Sequence, residues 1–128
     1  MLDLVQPPWR GRRVLVVEDE YVIAQDLKSS LENAGAEVLG PVPSVARAMA
    51  LLDADAAPDA AILDVNLGTE DVFPVAEALR ERGVPFVFAT GYDAWSLPSA
   101  YAEVPRWEKP FDVKRCLSNL FEHRTSAQ

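Results

Sequence analysis

Short apolar runs alternate along this chain with longer stretches whose apolar residues recur every three or four positions, the sequence form of repeated strand-helix units. Val14 to Val17 is an unbroken aliphatic run, as expected of a strand buried on both faces and therefore central in a parallel sheet. After Glu18, Asp19 and Glu20 come Ile23, Leu27, Leu31 and Ala34 at helical spacing, with Gly35 as the stop. Glu37 to Gly40 reads as a second, short strand, and Ser44 is placed to cap a helix through Val45, Met49, Leu51 and Leu52 toward Pro58. Ala60 to Val65 is a third strand and Asn66 to Asp71 a turn-rich loop. Val75, Ala76 and Leu79 then mark a helix that ends at Gly83 and tolerates Pro74 only in its first turn.

Val84 to Thr90 gives the fourth strand, after which the pattern breaks. Pro98 and Pro105 limit any fourth helix in Gly91 to Pro105 to a turn or two. Arg106 to Glu108 reads as a short fifth strand, and Asp112 can cap a last helix whose stripe is Val113, Cys116, Leu117, Leu120 and Phe121. The chain thus reads as five strand-helix units with a short or irregular fourth helix. Residues 1–12 and 124–128 are expected to fray, leaving one domain over 12–123 between an N-terminal extension, 1–11, and a C-terminal tail.

Composition narrows the chemistry. With 128 residues, 49% of them hydrophobic and 25% charged, the chain suits one globular domain with a buried core. A net charge of −8 argues against nucleic acid and anionic membranes as partners, since both select clustered Lys and Arg. Cys116 is the only cysteine and His123 the only histidine, which disfavours a disulfide, a Cys/His zinc site and a His-based nucleophile triad. Cys116 is read as core and His123 as surface; Trp9, Trp95 and Trp107 are open between packing and contact. No apolar run reaches spanning length, and the basic residues near the N-terminus follow the apolar ones, unlike a signal peptide. A cytoplasmic location is expected.

Ligands of an open parallel sheet bind beyond the carboxyl ends of its strands, near the point where strand order reverses. Glu18 and Asp19 directly follow the first strand, Asp64 lies near the end of the third, Thr90 ends the fourth and Lys109 follows the fifth, so all five share one edge. If the order is 2-1-3-4-5, Asp19 and Asp64 face one cavity. Acidic residues also favour the first turn of any helix, which alone would account for Glu18, Asp19 and Glu20. Asp64 has no such ordinary explanation, because a carboxylate closing a buried strand is costly without a partner. Close carboxylates call for a hard divalent cation, with Mg²⁺ the natural choice, and the residue types suit phosphoryl transfer onto an aspartate.

VLVVEDE, Asp64 in AAILDVNL, FATGY and EKPF, each after an expected strand and in this order, resemble the response-regulator receiver domain of two-component signalling over roughly residues 12–123. FATGY further resembles a subgroup with a Phe-Ala-Thr-Gly motif on its fourth strand, mostly single-domain bacterial regulators, often associated with kinases of the HWE type. The resemblance implies a flavodoxin-like (βα)5 three-layer sandwich. It implies that Asp64 is the phosphoacceptor, Asp19 the direct Mg²⁺ carboxylate, Glu18 a second acidic residue acting through water and Asn66 a backbone-carbonyl ligand. Thr90 and Lys109 would contact the phosphoryl group, and Lys109-Pro110 would be cis. Three positions depart from the family pattern: Glu18 for an aspartate, Gly68 for a proline, and Arg106 where a switching aromatic usually stands. With Arg106 too costly to bury unpaired, Thr90 and Tyr92 are expected to carry the switch.

The expected partners are a histidine kinase, with the HWE type as a candidate, and a downstream protein, since no output domain follows the last helix. The protein is expected to be a monomer or weak dimer and no enzyme beyond phosphoryl transfer and hydrolysis at its own Asp64. The alternatives are a phosphate shuttle or sink in a phosphorelay, and a degenerate receiver that binds partners constitutively. A small-molecule flavodoxin-like enzyme is disfavoured, because EDE stands where a phosphate loop would be.

Overall fold

The computed structural model describes residues 6–54, 56–68, 70–91 and 97–126, with the side chains of 122–126 left out. Five parallel strands form the main sheet: β1 (Arg13–Val17), β2 (Glu37–Val42), β3 (Ala60–Asp64), β6 (Phe86–Thr90) and β7 (Arg106–Glu108), in the order β2-β1-β3-β6-β7. Two short antiparallel strands, β4 (Asn66–Leu67) and β5 (Glu70–Asp71), make a hairpin within the stretch expected to be a plain loop. The helices are α1 (Tyr21–Asn33), α2 (Val45–Asp53), α3 (Phe73–Glu81) and α4 (Val113–Ser126). Counted by strand-helix unit, the order is 2-1-3-4-5, a flavodoxin-like sandwich with first and third strands adjacent. No described helix is long and apolar enough to cross a membrane.

The central strands divide their side chains between two cores by the two-residue period of a strand. Leu15, Val17, Ala61, Leu63, Phe86 and Phe88 pack with α2 and α3, while Val14, Val16, Ala60, Ile62, Val87 and Ala89 pack with α1 and α4. Runs such as Val14 to Val17 therefore had to be apolar at every position. Burial pushes the Cys116 thiol up to about 12, so it packs as an apolar group in the α1/α4 core. The caps read from sequence are present: Ser44 Oγ accepts from Arg47 N–H, Asp112 Oδ1 accepts from the N–H groups of Lys114 and Arg115, and Gly35 has a φ of 103°.

Two expectations change and one holds. The second strand runs on to Val42 through a cis Gly40-Pro41 bond, with an irregular register against β1 between Leu15 and Val17. Gly40 has a φ of 95°, and a Cβ there would stand 2.8 Å from the Val42 nitrogen, so only glycine fits. The fourth helix is short, as expected: among the described residues it is a 3₁₀ turn at Ser99–Tyr101. Its anchor is Tyr101, buried and stacked on Phe73 at 5.3 Å, edge-on to Phe88 at 5.7 Å, with the Arg80 guanidinium 4.7 Å from its ring centre.

The second change concerns the N-terminal side of β1, where residues 9–12 are held in place instead of frayed. Trp9 is buried in the α1/α4 core and donates its indole N–H to the Ala34 carbonyl at 2.9 Å, while Gly11 N–H bonds Gly35 and Arg12 accepts from Glu37 N–H. A buried indole with its polar tip satisfied outweighs the entropy of a short polar segment. Trp9→Ala is expected to cost about 3 kcal/mol in urea unfolding. A loss below about 0.5 kcal/mol, the usual effect at an unpacked surface position, would return residues 9–12 to the frayed end.

Candidate functional site

The parallel register brings the chemical residues to one edge. Glu18 continues β1, its N–H donating to the Val42 carbonyl at 2.9 Å. Asp64 and Thr90 are the last residues of the neighbouring strands β3 and β6, and Lys109 follows β7 with its N–H on the Thr90 carbonyl at 3.0 Å. Glu18, Asp64 and Thr90 are buried, while Asp19 is exposed. One oxygen from each of Glu18, Asp19 and Asp64 lies within 4.8 Å of the others.

Lys109 ties the buried carboxylates together. Its Nζ stands 2.8 Å from Glu18 Oε1 and 3.5 Å from Asp64 Oδ1. Glu18 Oε2 accepts the Glu20 N–H at 3.1 Å, so both oxygens of Glu18 are engaged within the protein. Asp64 Oδ1 also accepts the Asn66 N–H at 3.2 Å. Burial lowers the proton affinity of the Lys109 ammonium, but the hydrogen bond to Glu18 and the charges of Asp64 and Glu18 outweigh it, so its pKa is raised and its charge is held firmly.

The sequence-read residues Glu18, Asp19, Asp64, Thr90 and Lys109 thus share one edge, and Asn66 touches it through its N–H. Arg106 is exposed on β7, away from any inward switching position, and Tyr92 lies outside the described residues. Lys109-Pro110 is cis. Two features escaped the sequence reading. The direct Glu18–Lys109 ion pair joins residues 91 positions apart, a pairing that no local pattern encodes. Gly68, with a φ of 70°, brings the hairpin tip so close that a Cβ on it would stand 3.7 Å from Asp19 Oδ2.

Burial, and then the Glu18 charge, push the Asp64 carboxyl up to about 7 against the opposing pull of Lys109 and the Asn66 N–H. An unfolded aspartate titrates near about 3.9. Between those values the folded protein holds a proton that the unfolded chain has released, so this group makes the metal-free fold less stable as pH rises from about 4 to about 7. Asp64→Asn removes the ionisation. In chelator, its melting midpoint is expected to exceed the parent's by roughly 4 °C or more near about pH 8, and by clearly less near about pH 4.5. An equal difference at both pH values would contradict the assignment.

Residues 14–117 match the response regulator receiver domain. The sensory transduction protein LytT of Bacillus subtilis (strain 168) is 30% identical over 116 residues, which are 88% of this chain and 48% of that protein. The phyllosphere-induced regulator PhyR of Methylorubrum extorquens is 30% identical over 81 residues, 62% of this chain and 30% of that protein. The chain therefore spans half or less of the length of these curated relatives. The solution structure of SdrG from Sphingomonas melonis Fr1 is similar at a TM-score of 0.76 and 45% identity, covering 86% of this chain and 96% of SdrG. A match that begins within the first core strand and ends within the last helix places this chain in the response regulator receiver family of two-component signalling.

Proposed function

We propose that this protein is a phosphorylation-controlled switch that accepts a phosphoryl group on Asp64 from a histidine kinase and signals by changing its protein-binding surface. The observation that carries this reading is the convergence of three carboxylates, a partly buried ammonium and a strand-terminal hydroxyl on one sheet edge. Receiver domains bind Mg²⁺ at an acidic pocket, and the donors here fit one: when ionised, three carboxylates against one ammonium leave two negative charges, which one divalent cation balances. Asp19, exposed, and Asp64 would be its carboxylate ligands, Asn66 would offer its carbonyl, and Glu18, held by Lys109, would act through water. When bound, the ion offsets the charge that otherwise repels an incoming phosphoryl group.

Asp64 then acts as the nucleophile. A carboxylate oxygen bonds to the donor phosphorus as the phosphorus–nitrogen bond of a phosphohistidine breaks and the imidazole leaves with that electron pair. Lys109 and Thr90 stabilise the transferring oxygens by charge and hydrogen bond. The only chemistry expected of the protein is this self-directed transfer and the later hydrolysis of its own acyl phosphate. Thr90, with Tyr92 beyond it, is where we place the start of the conformational response.

A docking surface adjoins the site. Tyr21 and Val22, at the start of α1, are 76% and 67% exposed. Beside them a mainly apolar cavity of about 310 Å³ is lined by Ile23, Leu27, Lys109, Pro110 and Phe111 among others. This placement suits a kinase domain presenting phosphohistidine, with HWE-type kinases the first to test, and a cytoplasmic monomer or weak dimer suffices for it.

With a small acyl phosphate and Mg²⁺, intact mass should show one added phosphoryl group. Asp64→Asn should abolish it, and Asp19→Asn should slow it by at least about tenfold. Full labelling of Asp64→Asn would overturn the acceptor assignment. Replacing Tyr21 by Ala and Val22 by Ser together should slow transfer from a phosphorylated kinase by about tenfold while labelling by the small donor is unchanged. Equal slowing with both donors would remove this surface from kinase docking.

A further inference from the structure

The β4–β5 hairpin follows Asp64 directly, and it is placed against four parts of the fold. At its start, the Asn66 N–H donates to Asp64 Oδ1. Its flanks are anchored by Leu67 and Val72, both buried against the α2/α3 core. Its tip, at Gly68, lies near the Asp19 carboxylate, which a Cβ at that position would meet at 3.7 Å. The remaining contact crosses to another element: Glu70, paired with Leu67 in the hairpin, accepts the Val45 N–H at 3.0 Å through Oε1.

Val45 is the first residue of α2, and its N–H has no partner within the helix. Ser44 already caps that helix at Arg47 N–H, so the Glu70 contact is a second, independent cap supplied from the site loop. Its carboxylate also sits where the helix dipole favours negative charge. Glu70 is exposed and, among the described residues, lies outside the Glu18, Asp19 and Asp64 cluster.

We propose that Glu70 is a positioning residue: by bonding the N-terminus of α2 it fixes the hairpin, and so sets where Asn66 stands against Asp64 and how near Gly68 stands to Asp19. Its consequence for phosphorylation rests on the function proposed above. Loss of the tie leaves the hairpin held only at its root and flanks, so Asn66 and Gly68 lose their fixed approach to the two carboxylates.

The test uses the full chain in two arms. By amide NMR without metal, Glu70→Ala should exchange the Val45 amide about two- to thirtyfold faster, the range spanned by loss of one helix cap, and shift the Asn66 and Gly68 amides. Glu70→Gln keeps an acceptor oxygen and should stay near the parent. Ser44→Ala removes the other cap of the same helix and should leave Asn66 and Gly68 in place. With a small acyl phosphate at saturating Mg²⁺, labelling should slow several-fold in Glu70→Ala alone. The proposal falls if Asn66 and Gly68 do not respond to Glu70→Ala, if Ser44→Ala moves them equally, or if they move while labelling keeps the parent rate. Should the parent itself take no phosphoryl group, the acceptor reading fails, and the amide arm alone decides whether Glu70 places the loop.

Discussion

One partly buried ammonium organises the carboxylate edge of this protein. Glu18 and Asp64 are both sequestered from water at the ends of adjacent strands, and two ionised carboxylates so placed would repel across a medium that screens them poorly. Lys109 reaches both from the far side of the sheet, at 2.8 Å and 3.5 Å. The strands β1, β3, β6 and β7 must therefore end at one level, which the in-register pairing of Asp64 with Ala89 and Thr90 with Glu108 secures. A single slip in that ladder would move Lys109 away from two charges that depend on it.

The ammonium does not balance the edge fully. It satisfies Glu18 by a direct hydrogen bond and leaves Asp64 with a longer contact, so burial and then the Glu18 charge raise the proton affinity of Asp64 against the pull of Lys109, whose own proton affinity rises as well. The arrangement thus concentrates the raised proton affinity in one carboxylate. A second cation beside Asp19 would complete the neutralisation, and the exposure of Asp19 keeps that side of the cluster open to solvent. Burial and openness are divided between neighbouring residues of the chain, Glu18 and Asp19.

Most of this was legible in the sequence because it rests on short-range patterns. Buried parallel strands must be apolar throughout, so Val14 to Val17 and Ala60 to Leu63 identify themselves, and polar residues closing such runs stand out against them. What was not legible depends on contacts between distant segments. The capping of α2 by Glu70, the ion pair between Glu18 and Lys109 and the docking of Trp9 onto Ala34 span 25 to 91 residues and leave no periodic trace. The hairpin at Asn66 to Asp71 was hidden for another reason: two-residue strands are too short to show alternation.

Tyr101 shows how one side chain can hold a short turn on the sheet. The 3₁₀ turn at Ser99–Tyr101 offers too few backbone hydrogen bonds to hold itself on the sheet, so its position is set by one side chain. That ring fills the space between Phe73, Phe86 and Phe88, its hydroxyl donates to Glu77, and Arg80 lies over its face while bonding the Ala100 carbonyl. Burial, with the bond to Glu77, raises the Tyr101 pKa, which keeps the hydroxyl a donor at neutral pH. With the turn fixed in this way, β7 needs only three residues, and its exposed Arg106 and Glu108 charge the sheet edge instead of filling a core. A short, charged edge strand resists pairing with another chain, so a side chain unsuited to burial as a switch suits the edge it occupies.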